Sequence, residues 1–147
     1  MDSLSCKQNR RLIFSNEKIY QDNISKNDLK VKNPALIAYI EGDFKIIIDG
    51  NIFIDDEYMC VLELCVQLSN WLKYKENFYY DAISSEDKSI LEFISLNETE
   101  YLVSSSWNQS KAFTIVKDEL FCAANKFIEH IDAQLKILFN INVADFI

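Results

Sequence analysis

The sequence predicts an α+β domain in which an antiparallel sheet of hairpins and meanders is covered by two main amphipathic helices. Three observations predict this class. Asp49-Gly50 lies between two runs rich in β-branched residues, the pattern of a tight hairpin. Apolar residues recur at helical spacing in two separate stretches, 57–73 and 118–139. Between these stretches, short apolar runs joined by polar connections predict strands that pair with their neighbours along the chain.

The composition of the chain fits one folded domain. Its 147 residues are 49% hydrophobic and include ten Phe, seven Tyr and two Trp, enough to form a substantial core. Gly42 and Gly50 are the only glycines, which excludes glycine-rich phosphate-binding loops. We expect a single domain over residues 1–147, with its core at 35–140 and a peripheral, partly flexible segment at 1–33.

The N-terminal part is predicted to lead from a polar connection into a meander. Residues 15–33 are rich in Asn, Lys, Asp and Ser, which favours a connection without regular structure. The apolar run Ala35–Ile40 has no periodicity that separates a buried strand from a short helix, and we interpret it as a strand. The predicted strands are therefore a short edge strand at 10–14 and a meander of 35–40, 44–48 and 52–54.

The first predicted helix, 57–73, follows a run of carboxylates. Asp55 and Asp56 are suited to capping its free backbone N–H groups, and with Glu57 they complement the helix dipole. We prefer this interpretation to a catalytic or magnesium-binding carboxylate pair. The apolar stripe consists of Val61, Leu64, Cys65, Leu68, Trp71 and Leu72, and the predicted exposed face consists of Met59, Glu63, Val66, Gln67 and Asn70.

The C-terminal part is predicted as four strands followed by a long helix. The polar connections are short enough for antiparallel neighbours. Asn140 is expected to end the helix, after which the apolar tail 141–147 needs to be covered. The predicted strands are Phe78–Asp81, Ile90–Leu96, Tyr101–Trp107 and Ala112–Val116, and the helix is Asp118–Phe139, with Leu135 and Phe127 among its core residues.

The charge and the cysteines restrict the partners and the compartment. A net charge of −8 repels nucleic acid, so we expect no direct nucleic-acid binding; it attracts basic proteins, or it only keeps the domain soluble. Neither a signal peptide nor an apolar run long enough to span a membrane is apparent, which predicts a cytoplasmic protein. Its four cysteines are predicted to be reduced and structural, because none forms a Cys-x-x-Cys pair; they are Cys6, Cys60, Cys65 and Cys122.

A search for catalytic groups finds no complete set. His130 is the only histidine and is interpreted as a residue at the edge of the last helix's apolar stripe. Ser104-Ser105-Ser106 lacks the glycine elbow of a nucleophile. We therefore predict no catalytic, metal-binding or cofactor-binding residues and favour a binding protein over an enzyme. An enzyme with an unfamiliar carboxylate site stays an alternative.

Several short pieces of the sequence carry a family resemblance. They are Gly42-Asp43-Phe44, Glu63-Leu64, Gln67-Leu68, Trp71-Leu72, Phe78-Tyr79-Tyr80, Leu91-Glu92-Phe93 and Ser106-Trp107. With these pieces the sequence resembles, over roughly residues 35–138, small cytosolic immunity proteins of bacterial polymorphic-toxin systems, including contact-dependent growth inhibition. The resemblance implies a single-domain protein that binds and neutralises one cognate toxin, often a basic nuclease, without catalysis of its own. A non-catalytic adaptor or phage-derived inhibitor is the alternative.

We expect the partner to be held by an acidic rim around exposed aromatic residues. Tyr79 should point away from the core by strand alternation, and Trp107 lies at a predicted strand end. Carboxylates near strand or helix ends stay accessible to solvent. The predicted partner-binding residues are Asp55, Asp56, Glu57, Tyr79, Asp81, Glu86, Asp87 and Trp107.

Overall fold

Two antiparallel sheets and two long helices make up the fold. A computed structural model describes residues 12–83 and 86–147 of the chain. The predicted α+β class is confirmed, but the described strands form two sheets instead of one. The strands are β1 (Leu12–Ser15), β2 (Gly42–Ile48), β3 (Asn51–Met59), β4 (Phe78–Tyr80), β5 (Leu91–Ser95), β6 (Glu100–Ser104) and β7 (Ala112–Val116), and the α-helices are α1 (Lys26–Val31), α2 (Val61–Tyr74) and α3 (Lys117–Phe139).

The first sheet has the order β1-β2-β3 and is built on the predicted hairpin. Asp49 and Gly50 both have positive φ angles, 51° and 81°, as a tight two-residue hairpin turn requires. β1 confirms the short edge strand and pairs with β2, so that Phe14 lies opposite Ile46. β3 forms the other edge of this sheet. The second sheet has the order β4-β5-β6-β7 and lies beyond α2, which carries the chain from one sheet to the other.

The N-terminus of α2 differs from the prediction. β2 and β3 stay paired as far as Gly42 and Met59, so Asp55 lies opposite Lys45 and Asp56 lies opposite Phe44. The capping interpretation of Asp55, Asp56 and Glu57 is therefore wrong, because the strand ladder already occupies this stretch of backbone. The helix begins at Val61, and no side chain caps it.

The predicted strand 35–40 is also wrong. Pro34–Ala38 is a 3₁₀ helix, in which Pro34 has the φ angle of a helix start and the Asn33 side chain accepts a hydrogen bond from the Ala35 N–H (2.9 Å). Leu36 and Ile40 are apolar because both lie in the core, so the apolar run indicates burial and not a strand. The preceding polar stretch, predicted to be irregular, contains α1, whose N-terminus is capped by Ser25.

The core lies where α2 and α3 pack on each other and on the two sheets. Leu68 of α2 and Phe127 of α3 are almost completely buried, as predicted. Trp71 connects the helices to the second sheet, because its ring lies 5.0 Å from that of Phe93 and 5.6 Å from that of Tyr101. The predicted exposed face of α2 is only partly correct. Asn70 is exposed and Val66 and Gln67 are partly buried, but Met59 and Glu63 are buried.

The C-terminal elements agree closely with the prediction. α3 ends at Asn140, which caps it in the left-handed conformation (φ 55°). The apolar tail is covered, since it forms a 3₁₀ helix at Val143–Phe146 that contacts α2 and buries Ile141 and Val143. The predicted strand 101–107 is shorter, however: β6 ends at Ser104 and a 3₁₀ turn follows at Ser106–Asn108.

The cysteines confirm the prediction only in part. Cys60 and Cys65 are buried free thiols, and burial, assisted by the charge of Asp132, raises the pKa of Cys65. Cys122 is disulfide-bonded, so the prediction that all four thiols are reduced is wrong at this position. Spacing along the sequence does not reveal which cysteines pair. Cys6 lies outside the described residues.

Candidate functional site: an acidic surface around Trp107

The 3₁₀ turn Ser106–Asn108 joins β3 to the connection between β4 and β5. The Asn108 side-chain amide donates a hydrogen bond to the Phe53 carbonyl of β3 (3.0 Å). On the other side, the Ser106 N–H donates to the Ser89 carbonyl (2.9 Å). Two segments that are distant in sequence therefore lie beside the same tryptophan, Trp107.

Trp107 is held in a defined orientation although its side chain is 39% exposed. The buried Ser105 hydroxyl accepts a hydrogen bond from the Trp107 N–H (3.0 Å), which fixes the turn. The indole Nε1–H donates to Asp87 Oδ2 (2.8 Å), which fixes the ring. A large aromatic side chain held in this way loses little conformational entropy when a partner covers it.

Glu63 of α2 holds the connection between β4 and β5 in place. Its carboxylate is 1% exposed and accepts hydrogen bonds from the Tyr80 hydroxyl (3.0 Å) and the Ile83 N–H (3.2 Å). Asp81 then accepts a bond from the Ser89 N–H (2.6 Å) and closes the connection. We call residues 81–83 and 86–89 the acidic segment. Glu63 thus orders the segment from within the core.

The Tyr80 hydroxyl lies in a buried, negatively charged environment. Burial raises the pKa of the Tyr80 hydroxyl, and the nearby carboxylate of Glu63 and then Cys60 raise it further. Asp56 of β3 also raises this pKa, through its negative charge. Carboxylates of α2 and β3 therefore both act on the Tyr80 hydroxyl.

This pKa shift predicts a loss of stability at alkaline pH. Unfolded Tyr80 loses its proton near the ordinary tyrosine pKa of about 10, whereas folded Tyr80 keeps it. Above that pH the native state binds more protons than the unfolded state, so the free energy of unfolding decreases as the pH rises. We expect urea unfolding between pH 8 and 11 to show this decrease and Tyr80→Phe to reduce its slope. An unchanged slope in Tyr80→Phe would show that Tyr80 does not cause the loss of stability. Burial also raises the pKa of Tyr101, so part of the slope should persist in Tyr80→Phe.

Of the carboxylates predicted to bind a partner, Asp87 contacts Trp107, and the others lie on β3 and on the acidic segment. On β3, Asp55 and Glu57 are exposed and Asp56 is partly buried. On the acidic segment, Asp81, Glu86 and Asp87 are exposed. Together with Trp107 these carboxylates form what we call the acidic surface. It consists of Asp55, Asp56, Glu57, Asp81, Glu86, Asp87 and Trp107.

Tyr79 is the predicted residue that does not join this surface. Its side chain is 54% exposed while Phe78 and Tyr80 are buried, which confirms the predicted alternation. It lies on the outer face of the second sheet, opposite Glu92. Among the described residues, no hydrogen bond or ring contact links Tyr79 to the acidic surface.

Sequence reasoning missed the residues that organise the site. Glu63, Ser105 and Asn108 belong to no motif, and only the tertiary contacts reveal their role. Tyr58, which is 60% exposed and stacks on Tyr20 (5.1 Å between ring centres), was also missed. The sequence feature that could have indicated Tyr58 is its position directly after the acidic run that begins at Asp55.

His130 lies away from the acidic surface and contacts Asn16. The His130 Nε2 lies 3.2 Å from Asn16 Oδ1, and the Asn16 amide donates to the carbonyls of Lys18 and Asp43. This joins α3 to the connection that precedes β2. Within residues 12–83 and 86–147, no group of three or more His, Cys, Asp or Glu side chains is arranged to hold a metal ion. No helix among those residues is long and apolar enough to cross a membrane.

The DUF7878 family, described as a domain of unknown function, matches residues 10–137. The chain belongs to this family. The DUF7878 match contains every residue of the acidic surface, whereas the 3₁₀ helix Val143–Phe146 lies beyond it. Comparison with the curated proteins and with the solved structures gave no match.

Proposed function

We propose that this DUF7878 protein is a cytoplasmic immunity protein that binds a cognate basic toxin and neutralises it without catalysis of its own. The observation that carries the proposal is the partly exposed Trp107, whose ring is fixed by Asp87 on the exposed acidic segment. Aromatic anchors within a polar rim are typical of protein–protein contacts. The resemblance to immunity proteins supports the choice of a toxin as the partner.

The charge of the surface supports a basic partner. The chain carries a net charge of −8, and the carboxylate of Asp87 contacts Trp107. Exposed carboxylates produce a field that acts on an approaching basic partner and accelerates its association.

The decisive experiment expresses the protein encoded by the adjacent upstream gene, with and without this chain. Growth arrest by that protein alone, rescue by co-expression and recovery of a complex would support the proposal. A stable complex with a partner that is harmless on its own would favour the adaptor function. Absence of both rescue and complex would contradict both.

Charge reversal should affect mainly the association rate. We expect Glu57→Lys combined with Glu86→Lys to slow association on the order of tenfold and to flatten its dependence on salt. Asp87 is left unchanged because it fixes the Trp107 ring. Surface plasmon resonance over a range of salt concentrations measures the effect. The matched control, Glu98→Lys with Glu129→Lys, changes the net charge equally at exposed positions elsewhere, and an equal slowing by it would show that the acidic surface has no special role.

Truncation of the tryptophan should affect mainly the lifetime of the complex. We expect Trp107→Ala to speed dissociation about tenfold or more, which corresponds to ~1.4 kcal/mol, with little change in association. Trp107→Phe keeps an aromatic ring but loses the hydrogen bond to Asp87, so its effect should be smaller. An unchanged dissociation rate in Trp107→Ala would place the contact on another face of the protein.

A further inference from the structure

A cavity of about 420 Å³ lies between α1 and the C-terminal end of α3, and four lysines line it. Lys26, Lys30 and Lys32 come from α1 and its C-terminal cap, and Lys136 comes from the last turn of α3. Lys26 and Lys30 are four residues apart, which places them on the same face of the helix. We call this cavity the lysine pocket. Such a concentration of positive charge is unexpected in a chain whose net charge is −8.

The lysines are only partly neutralised by their surroundings. Lys32 forms an ion pair with Asp145 (3.3 Å), and this contact helps to lower the pKa of that carboxyl after the larger effect of the Asn142 backbone N–H. The charge of Lys136 also lowers the pKa of Asp145, whereas Lys26 and Lys30 form no ion pair with any described residue. Four ammonium groups around one cavity repel one another unless an anion lies between them.

Helix dipoles explain one of these lysines but not the group. The C-terminal end of a helix carries about half a negative charge, and a lysine in the last turn complements it. That accounts for Lys136 on α3. α1 has only six residues, so its dipole is small, yet the helix and its C-terminal cap contribute the other three lysines. The lysine pocket therefore has an excess of positive charge that the fold itself does not use.

The remaining walls define the chemistry of a ligand. The partly buried Phe139 and Leu29 supply an apolar wall, and the amides of Asn140 and Asn142 supply hydrogen-bond donors. The volume lies within the range of sites that hold one small molecule. Lysine binds phosphate groups as a point charge, and an aromatic ring offers a stacking surface for a nucleobase.

We propose that the lysine pocket binds a small molecule with several phosphate groups, namely a nucleoside polyphosphate whose base packs against Phe139. No residue of this pocket belongs to the acidic surface, so the proposal is independent of toxin binding. The two sites differ in the sign of their charge and in the elements that form them.

The experiment titrates the full-length protein with ATP, pyrophosphate and adenosine by isothermal calorimetry at low and physiological salt. We expect ATP to bind, adenosine alone not to bind, and salt to weaken the interaction. Pyrophosphate that binds as tightly as ATP would support the phosphate site and remove the role of Phe139. Absence of ATP binding at millimolar concentration would overturn the proposal.

Variants distinguish the pocket from general attraction of anions. Lys30→Gln and Lys136→Gln should each weaken ATP binding about tenfold or more. Lys126→Gln removes an exposed charge from the same helix as Lys136 but outside the pocket, and should leave binding unchanged. Equal weakening in all three variants would overturn the proposal. The side chains are exposed, so thermal melts should show that every variant folds.

Discussion

Leu68→Ala should destabilise the protein by about 2 to 5 kcal/mol, the range observed for buried leucine truncations. Leu68 lies on α2 with no solvent exposure, within the core that α2 and α3 share with the sheets. Removing three carbon atoms there leaves a cavity that the surrounding side chains fill only in part. Urea unfolding monitored by circular dichroism gives the free energy of unfolding directly.

The matched control for this variant is Leu72→Ala, four residues further along the same helix. Leu72 is only partly buried, so the same chemical change should cost clearly less. If Leu68→Ala loses less than about 1 kcal/mol, or no more than Leu72→Ala, the described packing of α2 is incorrect.

Replacing Glu63 by leucine should also lower the free energy of unfolding, because hydrogen bonds to its carboxylate are lost. The change leaves the Tyr80 hydroxyl and the Ile83 N–H without their acceptor. Tyr80 is buried, and a buried donor without a partner costs about 1 to 3 kcal/mol, whereas Ile83 is exposed and its N–H can bond to water. Glu63→Gln keeps one acceptor oxygen and should cost less. Denaturant unfolding of the three proteins measures the differences.

A second substitution separates the lost hydrogen bonds from the loss of the carboxylate itself. Tyr80→Phe removes one of the two donors, so combining it with Glu63→Leu should cost less than the sum of the single changes. A Glu63→Leu protein as stable as the wild type would show that the buried charge is no better than an apolar side chain at this position.

The sequence predicts the parts of the fold that depend on local chemistry. Asp49-Gly50 can form the hairpin turn because both residues adopt positive φ, and α3 follows a regular apolar spacing up to a left-handed Asn140. The run at 35–40 is ambiguous for a physical reason. Both a buried strand and a short 3₁₀ helix can bury Leu36 and Ile40. The side-chain oxygen of Asn33 favours the helix, because it accepts a hydrogen bond from the Ala35 N–H.

The site is predictable in its exposed residues but not in its organisation. Their positions near predicted strand or helix ends indicated that Asp55, Glu57 and Trp107 are accessible. Glu63 was predicted to lie on the exposed face of α2, and nothing in the sequence indicated its burial. Its partners, Tyr80 and Ile83, are 17 and 20 residues away, so no local pattern reveals them. A buried charge is recognisable only when the groups that stabilise it are known, and those come from the tertiary fold.

The carboxylates of β3 also have a consequence for the solubility of the protein. β3 is a nine-residue strand at the edge of its sheet, and an open strand edge is a template on which a second copy can add a strand. Asp55 and Glu57 place like charges along this edge, so two copies that pair there repel each other. The side chains that we propose attract a basic partner therefore also protect the chain from aggregation.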